Sequence, residues 1–179
     1  MKSFIITVRA ISTLAGWIAA GCIASAVVIT CQMIWVRGVL GQSTVWQTPW
    51  VILLVIAATM FGLAWTQVQR GHVSVDLLAR MMSPAVRLPF AIFVTTISLI
   101  VIGLMTWFSA TEWLKYYQKG WLIDGTYEMK EWAWFFPVPA GLGLFTLQIA
   151  ADLISLIIGE DKPFGLDDDV GLVDPERPH

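Results

Sequence analysis

Few side chains in this chain could perform chemistry. The only internal histidine is His72, and the only cysteines are Cys22 and Cys31. Bis-histidine haem ligation needs two histidines, so a second ligand would have to come from another chain. The two cysteines are nine residues apart, which on a helix places them on opposite faces about 13.5 Å apart in height, too far to bond. We therefore expect inert thiols, no cofactor, no metal site and no enzymatic activity.

Four long uncharged stretches account for most of the chain. No Lys, Arg, Asp or Glu occurs in residues 10–36, 38–69, 88–111 and 132–151. A bilayer core about 30 Å thick needs about 20 apolar residues in a helix. Hydrophobic residues make up 57% and charged residues 13% of the sequence, against about 25% charged in soluble domains. The sequence predicts an all-α integral membrane protein with four transmembrane helices.

The predicted helices form one membrane domain over residues 1–158, followed by a tail. The expected spans are about 11–36, 50–69, 88–111 (with an extension to 119 as an alternative) and 132–158. A cleaved signal is the rival interpretation of the first span, but its apolar sequence continues to Val36, beyond the 7–15 residues typical of a signal core. The tail, 159–179, contains seven acidic residues, and we expect it to be disordered and solvated.

Basic residues predict the orientation of the chain. If the four spans cross the membrane in turn, seven Lys and Arg residues fall on the side of the termini and four on the other side. Positive residues are retained preferentially on the cytoplasmic side, so both termini are expected there. Eight of the ten tryptophans fall at the predicted outer ends, which indicates either a headgroup belt or a surface that also contacts a partner.

The segment between spans two and three is the most distinctive part of the sequence. Its residues 70–80 read Arg-Gly-His-Val-Ser-Val-Asp-Leu-Leu-Ala-Arg. Asp76 and Arg80 are spaced i and i+4, a favourable order for a surface ion pair. Apolar residues share one face of this segment, and Pro84 limits it. We predict a short amphipathic helix lying at the cytoplasmic interface.

Two sequence features resemble the small membrane subunit, DctQ-like, of tripartite ATP-independent periplasmic (TRAP) transporters. Residues 70–78 match the family pattern of a basic residue, Gly or Ala, His, Ile or Val, any residue, Val and Asp, directly after a second span. Residues 132–141 form an aromatic-rich stretch that leads through Pro-Ala-Gly into the last helix. With the length and the four spans, the resemblance covers about residues 5–158.

The resemblance implies a complex in the bacterial inner membrane. Its partners would be a larger multi-span subunit, which houses the substrate and sodium sites, and a periplasmic substrate-binding protein. The small subunit would be a scaffold that enlarges the static part and contributes to the docking surface. Family substrates are small organic acids such as C4-dicarboxylates or sialic acid. Membrane lipids are further expected contacts, and nucleic acid is not.

Every residue role expected in this chain is structural, and no substrate-binding residue is expected. The residues expected to organise the cytoplasmic turn are Arg70, Gly71, His72, Asp76 and Arg80. Those expected to allow close helix packing are Gly16, Ala20, Ala24, Pro137, Pro139 and Gly141. Those expected to form a periplasmic docking rim are Trp113, Trp121, Tyr127 and Trp132. Two other hypotheses stay open: a self-contained homo-oligomeric exporter, and a membrane anchor for a redox complex.

Overall fold

The computed structural model describes residues 2–69, 84–120 and 130–159, and these residues are almost entirely helical. The helices are α1 (Lys2–Gly38), α2 (Gln47–Val68), α3 (Pro84–Lys119), α4 (Glu131–Phe135) and α5 (Pro137–Ile158). With α4 and α5 taken as one unit, four helices are long and apolar enough to cross a membrane. The prediction of an all-α protein with four membrane-spanning helices is confirmed. The predicted interfacial helix and the acidic tail lie outside the described residues.

Local sequence explains where the helices end and break. Gly120 follows α3 with φ +62°, and its N–H donates to the carbonyl of Tyr116 at 3.1 Å. Gly159 closes α5 in the same left-handed conformation, with φ +75°. Residues other than glycine adopt this conformation at a cost, so glycine is the usual helix terminator. Pro137 lacks an N–H and is the first residue of α5, so the break after α4 has a sequence origin.

α1 and α3 are longer than an upright membrane crossing requires. α3 begins at Pro84, before the residue 88 expected from sequence, and continues to Lys119. Its 36 residues measure about 54 Å at 1.5 Å per residue. α1 has 37 residues and a similar length. Because the hydrocarbon core is about 30 Å thick, both helices must tilt or project from the membrane.

α5 is the central helix of the bundle. It packs against α1, α2 and α3, whereas α3 packs mainly on α5 and α4. Burial follows this arrangement. In the most apolar 18 residues of the α4–α5 unit 44% are buried, whereas the corresponding share in α3 is 6%. α5 runs parallel to α2 and antiparallel to α1 and α3, as the alternation of four crossings requires. Most of the surface of α3 is therefore left for lipid or another chain.

Two glycines allow the closest helix contacts. A Cβ added at Gly141 would lie 2.5 Å from the carbonyl oxygen of Met60 on α2. A Cβ at Gly16 would lie 2.5 Å from the indole of Trp65. Since a bilayer provides little hydrophobic drive for helix association, such close backbone approach is a principal source of packing energy.

The predicted stripe of small residues on α1 divides between two environments. Gly16 lies beneath Trp65, but Ala20 and Ala24 are exposed. A four-residue step rotates by 400°, so such a stripe drifts about 40° per step from its starting face. The buried stripe of α1 alternates steps of three and four instead, and includes Ile5, Val8, Ser12, Ala15 and Ala19. Packing of Ala20 and Ala24 against another chain stays a prediction.

Gly141→Ala is expected to destabilise the bundle by about 1–3 kcal/mol, because the new methyl group meets backbone that cannot rotate away. Gly21→Ala is the matched control, since a Cβ at Gly21 meets nothing within 4 Å. Thermal unfolding of the purified, assembled protein would measure both variants. Equal melting temperatures for Gly141→Ala and Gly21→Ala would contradict the proposed contact.

Candidate functional site

A chain of hydrogen bonds connects three of the four spans near one end of the bundle. The Ser12 hydroxyl on α1 donates to Gln148 Oε1 on α5 at 2.9 Å. Gln148 Nε2 donates to Asp152 Oδ1 at 2.9 Å, one helical turn further along α5. Gln67 Nε2 on α2 donates to the other carboxylate oxygen, Asp152 Oδ2, at 2.9 Å. We call these four residues the polar network.

The polar network is built to bind helices to one another. Ser12 and Gln148 have no exposed surface, so both depend on each other for hydrogen bonding. Gln67 and Gln148 both donate to the carboxylate of Asp152. Hydrogen bonds to a charged group are about twice as strong as those between neutral groups. The side chains of Gln67 and Gln148 are amides, which are neither acids nor bases. The hydrogen bond of Ser12 within the network goes to one of them, Gln148. The network therefore fits a structural role, the joining of α1, α2 and α5.

The sequence analysis did not identify any of the four members of this network. Ser12, Gln67 and Gln148 are isolated polar residues in apolar stretches, and such residues have no pattern that identifies their partners. The available signal was the i, i+4 spacing of Gln148 and Asp152 near the end of the last span. A polar side chain in a membrane helix usually turns toward the bundle interior, and this rule would have paired them.

Two more polar contacts connect neighbouring spans. Gln47 Nε2 at the start of α2 donates to Gln32 Oε1 on α1 at 3.3 Å, and Gln47 is 3% exposed. Thr106 on α3 and Thr146 on α5 share a hydrogen bond of 2.8 Å between their hydroxyls. Each packed pair α1–α2, α2–α5, α1–α5 and α3–α5 thus contains at least one interhelical hydrogen bond.

An aromatic cluster lies at the C-terminal end of α3, where α3 meets α4. Trp113 Nε1 donates to the Trp132 carbonyl at 2.8 Å. Tyr117 stacks on Trp113 with ring centroids 5.8 Å apart and meets the edge of Trp132 at 5.7 Å. Tyr116 stacks on Phe135 at 5.1 Å. We call these five residues the aromatic cluster; it attaches the short α4 to the end of α3.

The structure brings together two of the four residues predicted for the docking rim. Trp113 and Trp132 are in direct contact, whereas Trp121 and Tyr127 lie outside the described residues. The cytoplasmic motif also lies outside them: Arg70, Gly71, His72, Asp76 and Arg80. Among the packing residues, Pro137 and Gly141 are buried and Pro139 is half-buried. Within 2–69, 84–120 and 130–159, no group of three or more His, Cys, Asp or Glu residues could hold a metal ion.

Asp152→Leu is expected to destabilise the bundle by at least about 2 kcal/mol, because it leaves the amide donors of Gln67 and Gln148 without their acceptor. Ser12→Ala removes one hydrogen bond between α1 and α5 and should cost about 0.6 kcal/mol, the average for such bonds in membrane helices. Thermal unfolding of the assembled protein would compare the two variants. An Asp152→Leu variant that melts with the wild-type protein would show that the carboxylate does not hold the helices together.

Comparison with known families assigns the chain. The family model for the DctQ component of tripartite ATP-independent periplasmic transporters matches residues 26–159, which include the C-terminal third of α1, all the later helices and the 70–80 segment. Neither the curated proteins nor the solved structures gave a match. The match covers most of the chain and agrees with the four membrane-spanning helices. This multi-pass membrane protein therefore belongs to the DctQ family, the small subunits that associate with the other components of TRAP transporters.

Proposed function

We propose that this chain is the static scaffold of a TRAP transporter in a bacterial inner membrane, with both termini in the cytoplasm. One observation carries the proposal: a series of polar side chains in its spans joins its own helices. Ser12, Gln148, Asp152 and Gln67 hydrogen-bond in series, and Thr106 bonds Thr146. An alternating-access transporter needs polar groups directed at substrate and ions near the midplane. A bundle tied in this way is suited to remaining rigid.

The exposed surface supports an assembly with a larger subunit. α3 presents large apolar side chains along its length, among them Phe93, Ile97, Leu104 and Phe108. Van der Waals packing and small exposed residues are what another membrane helix requires. Ala20 and Ala24 offer such a surface on α1. In this proposal the large subunit contains the substrate and sodium sites, and the present chain enlarges the immobile part against which it moves.

The aromatic cluster supports a second part of the proposal, a docking surface for the periplasmic binding protein. Glu112 and Lys115 form an exposed ion pair of 2.5 Å beside the cluster, which favours contact of this end of α3 with water. Tyr117 in the cluster is itself exposed. Aromatic residues that combine a rigid apolar ring with a polar atom are frequent centres of protein interfaces. The outer end of α3 and α4 is thus a suitable place for a soluble partner to bind.

The transported substrate is proposed to be a small organic acid, driven by a sodium gradient. The support is family membership, together with a bundle in which Ser12, Gln67, Gln148 and Asp152 are already bonded to one another. Selection among C4-dicarboxylates, sialic acid and related acids would belong to the binding protein and the large subunit.

The full three-component system, reconstituted in vesicles, is expected to accumulate a labelled organic acid only under an inward sodium gradient. The large subunit should co-purify with the tagged chain in about equal amount, and omission of the chain should abolish uptake because its partner loses its support. Uptake by vesicles that contain this chain alone would contradict the scaffold proposal and favour the homo-oligomeric exporter. Uptake that is indifferent to sodium would contradict the proposed coupling ion.

Trp113→Leu is expected to weaken docking, because it removes an aromatic surface and the hydrogen bond that holds α4. Uptake measured against the concentration of binding protein should show a half-saturation value raised roughly tenfold, the equivalent of about 1.4 kcal/mol. Trp17→Leu is the control, since Trp17 is an exposed tryptophan on α1 far from α4. Normal half-saturation in Trp113→Leu, at normal complex yield, would contradict a docking role for the cluster.

A further inference from the structure

Side-chain contacts establish which residues of neighbouring helices lie at the same height along the bundle. The contacts between α1 and α2 keep one register over most of their length: Gly16 with Trp65, Ala19 with Gly62, and Gln32 with Gln47. The contacts between α3 and the α4–α5 unit also keep one register: Thr106 with Thr146, and Tyr116 with Phe135. Met60 connects the two sets by its contact with Gly141. One level of the bundle therefore contains Gly21, Met60, Thr111 and Gly141.

Outward of this level, the first charged residue lies much closer on α3 than on α1. The next residue on α3 is Glu112, which forms its exposed ion pair with Lys115. On α1 the residues 22–36 are all uncharged, a further length of about 22 Å at 1.5 Å per residue. They expose large apolar side chains, including Val28 and Ile34. If the bundle stood upright, either the ion pair would lie in hydrocarbon or these apolar side chains would lie in water.

At the inner side, α1 becomes charged first and the uncharged part of α3 continues further. Gln148 is level with Ser12 on α1, and Asp152 lies one helical turn further inward. The register of Thr106 with Thr146 places Ile100 of α3 at the height of Asp152. At this height α1 has already reached the charged Arg9, three residues inward of Ser12. α3 remains uncharged through residues 88–99, about 18 Å. The uncharged surface of α3 is thus displaced inward relative to that of α1 at both ends.

We infer that the acyl chains of the bilayer cover an oblique band of this protein, so that the bundle axis crosses the membrane at a steep tilt. The 27 uncharged residues from 10 to 36 of α1 measure about 40 Å, and fitting them into a core of about 30 Å requires a tilt of about 40°. This value lies at the upper end of the range for membrane helices.

The offset between the helices leads to a similar angle by a separate route. α1 and α3 lie on different sides of α5, and packed helix axes are 8–10 Å apart, so α1 and α3 are separated by up to about 20 Å. An offset of about 20 Å over this separation corresponds to a tilt of about 45°. The lengths of the spans and the contacts between them therefore agree on an oblique placement.

Depth measurements at two matched pairs of sites would test this placement. Ile23 and Leu114 lie at nearly the same height of the bundle and are 47% and 45% exposed. Ile6 and Ile97 form the second pair, at the inner end, and are 67% and 46% exposed. Each would be replaced by Cys in a Cys22→Ala/Cys31→Ala background and given a nitroxide label. The assembled transporter would be placed in phosphatidylethanolamine–phosphatidylglycerol vesicles, and collisions with oxygen and with a water-soluble nickel chelate would be measured.

The oblique placement predicts that the order of depths reverses between the pairs. Ile23→Cys should collide at least several-fold more with oxygen than with nickel, and Leu114→Cys should show the opposite. At the inner end, Ile97→Cys should report hydrocarbon and Ile6→Cys should report water. Equal depths within both pairs would overturn the inference, because an upright bundle has that result. Labels on Ile23 and Ile97 shielded from both reagents would also overturn it, since protein rather than lipid would then cover them.

Discussion

The absence of water from the hydrocarbon core is the constraint on which this structure depends. A polar group there must find its partner within the protein, because an unpaired one costs several kcal/mol. Asp152 shows the consequence most clearly: each of its oxygens accepts an amide hydrogen, one from its own helix and one from α2. The fully buried Gln148 then needs a donor for its own oxygen, and Ser12 of α1 provides it. One carboxylate near the end of the last span thereby determines how three helices meet.

Close packing completes what the polar contacts begin. Lipid tails are as apolar as leucine, so burying apolar side chains between helices has little advantage over leaving them in lipid. The bundle accordingly uses small residues where helices cross: Gly141 against the Met60 backbone, and Gly16 beneath Trp65. α5 is the helix that combines both devices, which explains why it is central and why α3, joined to it by the Thr106–Thr146 bond and the aromatic cluster, remains so exposed.

The parts of the fold that depend on one helix alone could be predicted from the sequence, and the parts that depend on two could not. Uncharged length identifies a span without reference to its neighbours, and the match of residues 70–80 to the family pattern is equally local. The pairing of Gln67 with Asp152 depends on the rotation and relative height of two helices 85 residues apart in sequence, which periodicity does not determine. The stripe of Gly16, Ala20 and Ala24 has the same difficulty, because its spacing is compatible with several faces and only Gly16 meets a neighbour within the chain.

The distribution of polar groups also bears on what a small TRAP subunit can do. Moving a substrate through a membrane requires polar groups that change partners, and each such group carries an energetic cost when it is between partners. Here polar side chains of the described spans are joined in one continuous series and in separate pairs such as Gln32–Gln47 and Thr106–Thr146. Opening any of these contacts would leave an amide, hydroxyl or carboxylate unsatisfied. A bundle of this kind gains more from staying closed than from moving, which is the physical basis for our proposal that movement belongs to another component of the transporter.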